Sequence, residues 1–188
     1  NDISKVNLKS NINHEMFKWL KVGANISGNY LHNNRIPGAD LGSTIIGRAV
    51  QQRPFDRPYK PNGGYYTGGT DELLLHNAVQ ILSEETSYTD NYRFIGSFWA
   101  EAQIIKGLTV RASYNNDSAY TYDYIYYNQN HPYAADKGRI LDRNRFVMTN
   151  TIDLYANYNR KIGEDFELGA MVGHSFLKTR SRTSYIDA

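Results

Sequence analysis

Two adjacent glutamates, Glu84 and Glu85, are the first residues of this chain whose types suggest acid–base chemistry. A general acid and base must converge on one bond, whereas neighbouring residues diverge by about 100° on a helix and oppose each other on a strand. The pair is therefore not expected to catalyse. His14, His32, His76, His131 and His174 show neither an HExxH pattern nor another short ligand spacing. Asp117, Asp123 and Asp136 do not follow the order of an EF-hand loop. The glycine-rich stretch NGGYYTGG at 62–69 lacks the GxxxxGK order of a phosphate loop, and the Asn-x-Ser triplets at Asn25 and Asn116 are too short a match to decide anything. No catalytic residue, metal or cofactor is expected.

The more informative chemistry is aromatic. Tyrosine makes up 16 of the 188 residues, and its ring combines apolar area with a polar handle at modest entropy cost. Tyr65 and Tyr66 with Asp71 and Glu72, and Tyr122, Tyr124 and Tyr126, are the candidate contacts for a saccharide, a peptide or a protein partner. The same rings would equally brace long loops against one another.

Composition narrows what can hold them. The chain is long enough for a sizeable domain, and no apolar run approaches the roughly 18 residues of a membrane helix. A net charge of +2 gives no nucleic-acid surface, and the absence of cysteine removes disulfide stapling and thiolate chemistry. The chain starts at Asn1 without a basic and apolar leader, as a mature or truncated segment would.

Strands are the elements that must position the tyrosines. From Tyr92 to Tyr114 a period of two places Tyr92, Phe94, Phe98, Ala100, Ala102, Ile104, Leu108, Val110, Ala112 and Tyr114 on one face, against Arg93, Ser97, Glu101, Gln103, Thr109, Arg111 and Ser113 on the other. With Ile104 opposite Leu108, Ile105, Lys106 and Gly107 would form a three-residue hairpin loop. A first pair of strands is expected around Val6–Ile12 and Leu20–Tyr30, joined by about seven residues around Glu15. A last pair is expected from Phe146 to Tyr158 and from Phe166 to Val172, with His174 and Phe176 continuing the alternation less regularly and LKTRSRTSYIDA at 177–188 as the start of another loop. Leu41–Gln52 reads as a short helix that stops before Pro54, and Thr70 or Asp71 as the cap of a second helix through Leu82. Asn150 breaks the apolar pattern of its strand.

The connections run short, long, short, long, short, the long ones being approximately 31–91 and 115–144. Antiparallel strands put alternate connections at opposite ends, and outer-membrane barrels have short turns at one end and long loops at the other. Aromatic residues flank an aliphatic middle on the apolar face, where Ile152 and Leu154 join the row named above. These residues are expected to face lipid, while Lys9, Lys21, Arg93, Glu101, Arg111 and Asp153 face a wet lumen. The expectation is thus an all-β fold, an antiparallel transmembrane β-barrel segment of about six strands from a larger barrel, with residues 1–188 a fragment of the barrel domain. The alternatives are a soluble β-rich carbohydrate-binding module, with its core between two sheets, or a segment of a passive porin or adhesin.

The phrases QQRPFDRPYKPNGGYYTGGTDEL, NAVQILSEETSYTDNYRFIGSFWAEAQIIKGLTVRASY and YYNQNHPYAADKGRI, with Trp19-Leu20-Lys21-Val22-Gly23 and Asn25, resemble the SusC-like (SusC/RagA) TonB-dependent outer-membrane transporters of Bacteroidetes. The resemblance runs through essentially the whole chain. It implies a barrel of 22 strands, a plug domain and Ton box N-terminal to these residues, and coupling to TonB through that region. It also implies import of glycans or peptides, a SusD-like surface lipoprotein as partner, contact with lipid and lipopolysaccharide, and location in the bacterial cell outer membrane. These 188 residues contain neither plug nor Ton box, so transport is not expected of them alone.

Overall fold

A computed structural model describes residues 2–35, 45, 47, 49, 57–66, 77–132, 134, 137–162 and 166–188. Six strands follow in order: β1 (Ile3–Phe17), β2 (Leu20–Asn34), β3 (Glu85–Ile105), β4 (Leu108–Tyr127), β5 (Arg139–Ile162) and β6 (Phe166–Asp187). One helix, α1 (Ala78–Glu84), precedes β3. Ile45, Gly47 and Ala49 are also helical, inside the stretch read as a short helix.

Each strand pairs antiparallel with its sequence neighbour, giving one sheet in the order β1-β2-β3-β4-β5-β6. Closure would require the last strand to hydrogen-bond back to the first, and β1 and β6 each have a single partner strand. The expected transmembrane β-barrel segment is therefore corrected to an open six-stranded antiparallel sheet, and the description of its members as transmembrane barrel strands falls with it. Among the described residues no helix is long and apolar enough to cross a membrane.

The connections and strand ends differ from expectation in instructive ways. β1 and β2 are joined by a tight turn at Lys18 and Trp19 rather than by seven residues, since Phe17 pairs with Leu20. Gly107 takes the left-handed conformation (φ +90) that closes the β3–β4 hairpin. There Ile105, not Ile104, pairs with Leu108, and the register shift between Gln103 and Ile105 absorbs the extra residue as a bulge. β6 continues through Asp187, where another loop was expected, because its residues pair with β5 up to Leu141. β3 to β6 contain 20 to 24 residues each, about twice the length a bilayer would need, so the sheet extends well past its apolar band.

The sheet has no second layer among the described residues. Phe98, Ile152 and Leu154 are 45%, 51% and 51% exposed, which removes the core on which the soluble two-sheet alternative depends. Apart from Gly96 in β3, burial among the described residues falls in a corner at the long-loop end, at Asn77, Ala78, Gln80 and Ile81 in and just before α1 and at His131 and Ala134. Asn77 is the N-cap: its Oδ1 accepts from the backbone N–H of Val79 (3.0 Å) and Gln80 (3.4 Å). The cap candidates Thr70 and Asp71 lie outside the described residues.

Candidate functional site

Alternation gives the sheet two chemically different faces, and register decides which residues meet on each. On the polar face, Trp99, Ser113, Asp153 and Ser175 form one row across β3–β6, and Glu101, Arg111, Tyr155 and Gly173 form the next. Asp153 is the hub of this face. Its Oδ1 accepts from Ser175 Oγ at 2.6 Å, and its Oδ2 accepts from Asn115 Nδ2 at 3.1 Å and Ser113 Oγ at 3.4 Å. Asn115 Oδ1 also accepts from Ser97 Oγ at 2.7 Å, extending the network to β3.

Beside the hub, the Arg111 guanidinium lies 4.3 Å from the Trp99 ring centre and donates to Glu101 at 3.4 Å. A cation over an indole face is attracted by the ring quadrupole, and here it is also held by a carboxylate. Gly23 makes room for the indole: a Cβ there would lie 2.5 Å from it. An open groove of about 480 Å³ runs over Ser97, Arg111, Asn115, Asp153 and Tyr155. Farther along the same face, Arg93 forms a two-pronged pair with Asp117 at 2.6 and 2.9 Å.

The groove offers hydroxyls, amides, one guanidinium and one carboxylate at fixed spacing, a surface suited to the amides of a peptide or the hydroxyls of a sugar. It does not assemble a nucleophile and base: Ser113 and Ser175 bond to a carboxylate, and His174 belongs to the other face, in register with Leu154. Glu84 ends α1 while Glu85 begins β3, so the adjacent carboxylates belong to different elements. No group of three or more metal-ligating side chains occurs among the described residues.

The apolar face carries the row Tyr92, Phe94, Phe98, Ala100, Ala102, Leu108, Val110, Ala112, Tyr114, Ile152 and Leu154 in register. Asn150, the exception in this row, is satisfied within the face: its Oδ1 accepts from Tyr114 Oη and Asn116 Nδ2, both at 2.7 Å. Tyr30, Tyr92 and Tyr120 stand side by side at the upper edge of the band, with centroids 4.9 and 6.3 Å apart.

Alternation places Tyr122, Tyr124 and Tyr126 on this same face, opposite the Asp153 groove. Tyr122 and Tyr124 pack around Tyr88 at 6.0 and 5.1 Å, and Tyr122 Oη donates to Asp142 at 3.1 Å. That hydrogen bond and burial raise the Tyr122 hydroxyl well above the usual phenol range, burial contributing most. The neighbouring pair His32–Asp90 is 2.7 Å apart, and the hydrogen bond to Asp90 raises the imidazole above its ordinary value.

Tyr65 and Tyr66 lie in a small hairpin, residues 57–66, where Tyr59 and Tyr65 pair and their rings are 5.8 Å apart. Asn77 Nδ2 donates to the carbonyls of Pro58 (2.6 Å) and Tyr66 (3.1 Å), fastening this hairpin to α1. Asp71 and Glu72 lie outside the described residues. In the corner beneath, the Glu85 side chain is 5% exposed and 3.7 Å from His131 Nε2, and Tyr127 stacks on the imidazole at 4.4 Å. Burial pushes the Glu85 carboxyl up to about 7, against the opposing charge of Arg35.

Alternation in the sequence puts Arg111, Glu101 and Asp153 on the wet face but carries no signal that pairs Trp99 with Gly23. Trp99 alternates onto the polar face, and the glycine 76 positions earlier that receives it is recognisable only once β2 and β3 are in register. Comparison with family profiles finds no match, and comparison with curated proteins finds none. Solved structures share the fold, two of RagAB among them. The structure of the RagAB peptide transporter matches with a TM-score of 0.74 at 21% identity, over 97% of this chain and 21% of that one. The RagAB peptide importer in its closed-closed state matches with a TM-score of 0.72 at 20% identity, over the same shares of each chain. This chain thus spans about a fifth of the length of those chains, and what it shares with that portion of them is the fold.

Proposed function

We propose that this chain is a portion of an outer-membrane, TonB-dependent importer of the SusC/RagA kind, working with a SusD-like surface lipoprotein to take up oligopeptides or glycans. The observation that carries the reading is the fold likeness through 97% of the chain to RagAB, a peptide importer. The division of the sheet into a polar and an apolar face supports it. In this reading the row from Tyr92 to Tyr114, with Ile152 and Leu154, meets lipid, and the groove around Trp99, Arg111 and Asp153 lies on the substrate side. Tyr65 and Tyr66, with Asp71 and Glu72, contact ligand or lipoprotein at the long-loop end. Tyr122, Tyr124 and Tyr126 brace the sheet above the apolar band. TonB engages a region outside these residues.

The test is uptake by cells carrying the full-length gene. Energised accumulation of an oligopeptide pool should depend on the gene, and Asp153→Ala with Arg111→Ala should lower it while leaving the amount of protein in the outer membrane unchanged. Recovery of the full-length protein in a soluble fraction without detergent would refute the reading, as would uptake indifferent to deletion of the gene.

A further inference from the structure

At the long-loop end of the polar face, arginines from two different elements converge on one small pocket. Thr89, Asp123, Arg143 and Tyr185 form a row across β3–β6, and Ser87, Ile125, Leu141 and Asp187 form the next row outward. The backbone N–H of Arg35 donates to the Ser87 carbonyl at 2.9 Å, so the residue after β2 is carried beside this outer row. Its guanidinium lies 3.6 Å from Asp123 Oδ1. Arg35, Asp123, Ile125, Leu141, Arg143 and Tyr185 enclose about 130 Å³, room for several water molecules. Arg143 is ten residues along β5 from Asp153, about 33 Å away, so this pocket is separate from the Asp153 groove.

The pocket carries more positive charge than its own residues balance. Asp123 Oδ1 already accepts from Thr89 Oγ1 at 2.6 Å, and its contact with Arg35 is longer than a hydrogen bond. The Arg35 Nε is buried and donates to no group among the described residues. The Arg143 guanidinium stands 5.7 Å from the Tyr185 ring centre and forms no ion pair among the described residues. Other carboxylates toward this end of the face are occupied: Asp187 takes both prongs of Arg139 at 2.7 and 2.8 Å, and Glu85 lies buried against His131. Arg143 on β5 and Asp123 on β4 each have a paired strand on either side, so the imbalance does not arise from an edge of the sheet.

The walls select among anions. Ile125 and Leu141 are register partners and give apolar sides for a short methylene stem, while a guanidinium presents parallel N–H donors that match a carboxylate. Asp123 at the margin repels a phosphate dianion more strongly than a single negative charge. A carboxylate on a flexible stem enters so small a space alone, whereas the carboxylate of a uronate brings a sugar ring with it. We infer that this pocket takes a carboxylate of an acidic peptide, with Arg35 and Arg143 holding the charge and Ile125 and Leu141 flanking its stem. The inference rests on the importer reading and narrows its substrate to peptides that carry negative charge.

The test uses the full-length protein purified in detergent, equilibrated with equimolar peptides of matched sequence and read by native mass spectrometry. One peptide carries a single glutamate and a second has glutamine in its place, both with amidated C-termini; the third is the glutamine peptide with a free C-terminus. A carboxylate-bearing peptide should be retained about tenfold over the amidated glutamine peptide, and which of the two is retained better tells side chain from chain end. Arg35→Gln combined with Arg143→Gln should bring that ratio to about one. Asp123→Asn should raise the ratio, because it removes the competing carboxylate while keeping an acceptor for Thr89. Equal retention of all three peptides by the parent, or a preference that survives in the double variant, overturns the pocket. A ratio unchanged or lowered by Asp123→Asn also overturns it, an outcome readable even where the arginine variants fail to fold. Arginine-dependent retention of an oligogalacturonide in preference to every peptide overturns the peptide assignment. Cellular uptake is read separately: absence of any energised accumulation refutes the importer reading and this inference with it, whereas peptide uptake and retention indifferent to charge overturn the pocket alone.

Discussion

Replacing Asn77 by alanine should release the hairpin that carries Tyr65 and Tyr66 while leaving the sheet intact. The Asn77 side chain is 2% exposed and performs two tasks at once. Its oxygen caps α1, a contribution of about 1 kcal/mol. Its amide nitrogen donates to the Pro58 and Tyr66 carbonyls, and each such bond is worth about 1 kcal/mol net. Alanine loses all three contributions, about 3 kcal/mol, which corresponds to a roughly 100-fold rise in local opening. Asn77→Asp keeps the cap and loses the two donors, so it should cost about 2 kcal/mol and raise opening roughly 30-fold. Hydrogen exchange of the full-length protein, resolved over 57–66 and 77–84, reads both effects, with β4 and β5 as internal references. The informative amides are those of Tyr66, which donates to Pro58, and Ile81, which donates to Asn77. Unchanged protection of the Tyr66 amide in the alanine variant would refute the claim that one side chain fastens hairpin and helix together. Equal effects of alanine and aspartate in 77–84 would refute the assignment of the cap.

Three further outcomes follow from the same geometry. The Glu85 carboxyl is held at about 7 against an ordinary 4.5, so the folded corner favours its protonated form. Stability from this group is full below the ordinary value and is lost as pH rises through about 7, a swing of roughly 3 kcal/mol. Glu85→Gln should flatten that dependence in thermal unfolding scans between pH 5 and 8, and a slope equal to the parent's would exclude Glu85 as its source. At Gly107, where φ is +90 and a Cβ would run into the Asn159 carbonyl, Gly107→Ala should destabilise by about 1–3 kcal/mol in denaturant titrations; a neutral result contradicts the turn. Gly23→Leu should displace the Trp99 ring and shift the protein's tryptophan emission, and an unaltered spectrum would mean that the indole does not lie over Gly23.

Much of this architecture was legible because a strand's period of two is a local property. Tyr92 to Tyr114 announces its two faces from composition alone, and Gly107 marks the turn because a left-handed position favours glycine. Strand ends were less legible. Lys178 to Tyr185 is polar and reads as loop, yet it forms strand because β5 offers an unbroken ladder of backbone partners. Tyr122, Tyr124 and Tyr126 were recognised as important by type, but their side of the sheet depends on counting alternation without a break from Leu108 to Tyr127.

By itself, then, the sequence determined an antiparallel β protein with one apolar and one polar face and no apolar run long enough for a helical membrane span, since each follows from residue type and short-range spacing. Tertiary structure decided that the six strands form an open sheet rather than a closed one, because closure depends on which strand hydrogen-bonds to which. It also decided that Asn77 would tie together Pro58 and Tyr66, that Gly23 would receive Trp99 beneath Arg111, and that Asp153 would gather Ser113, Asn115 and Ser175. Those contacts join residues far apart in the chain, and strand register, a property of the paired backbones, is what brings them within hydrogen-bonding distance.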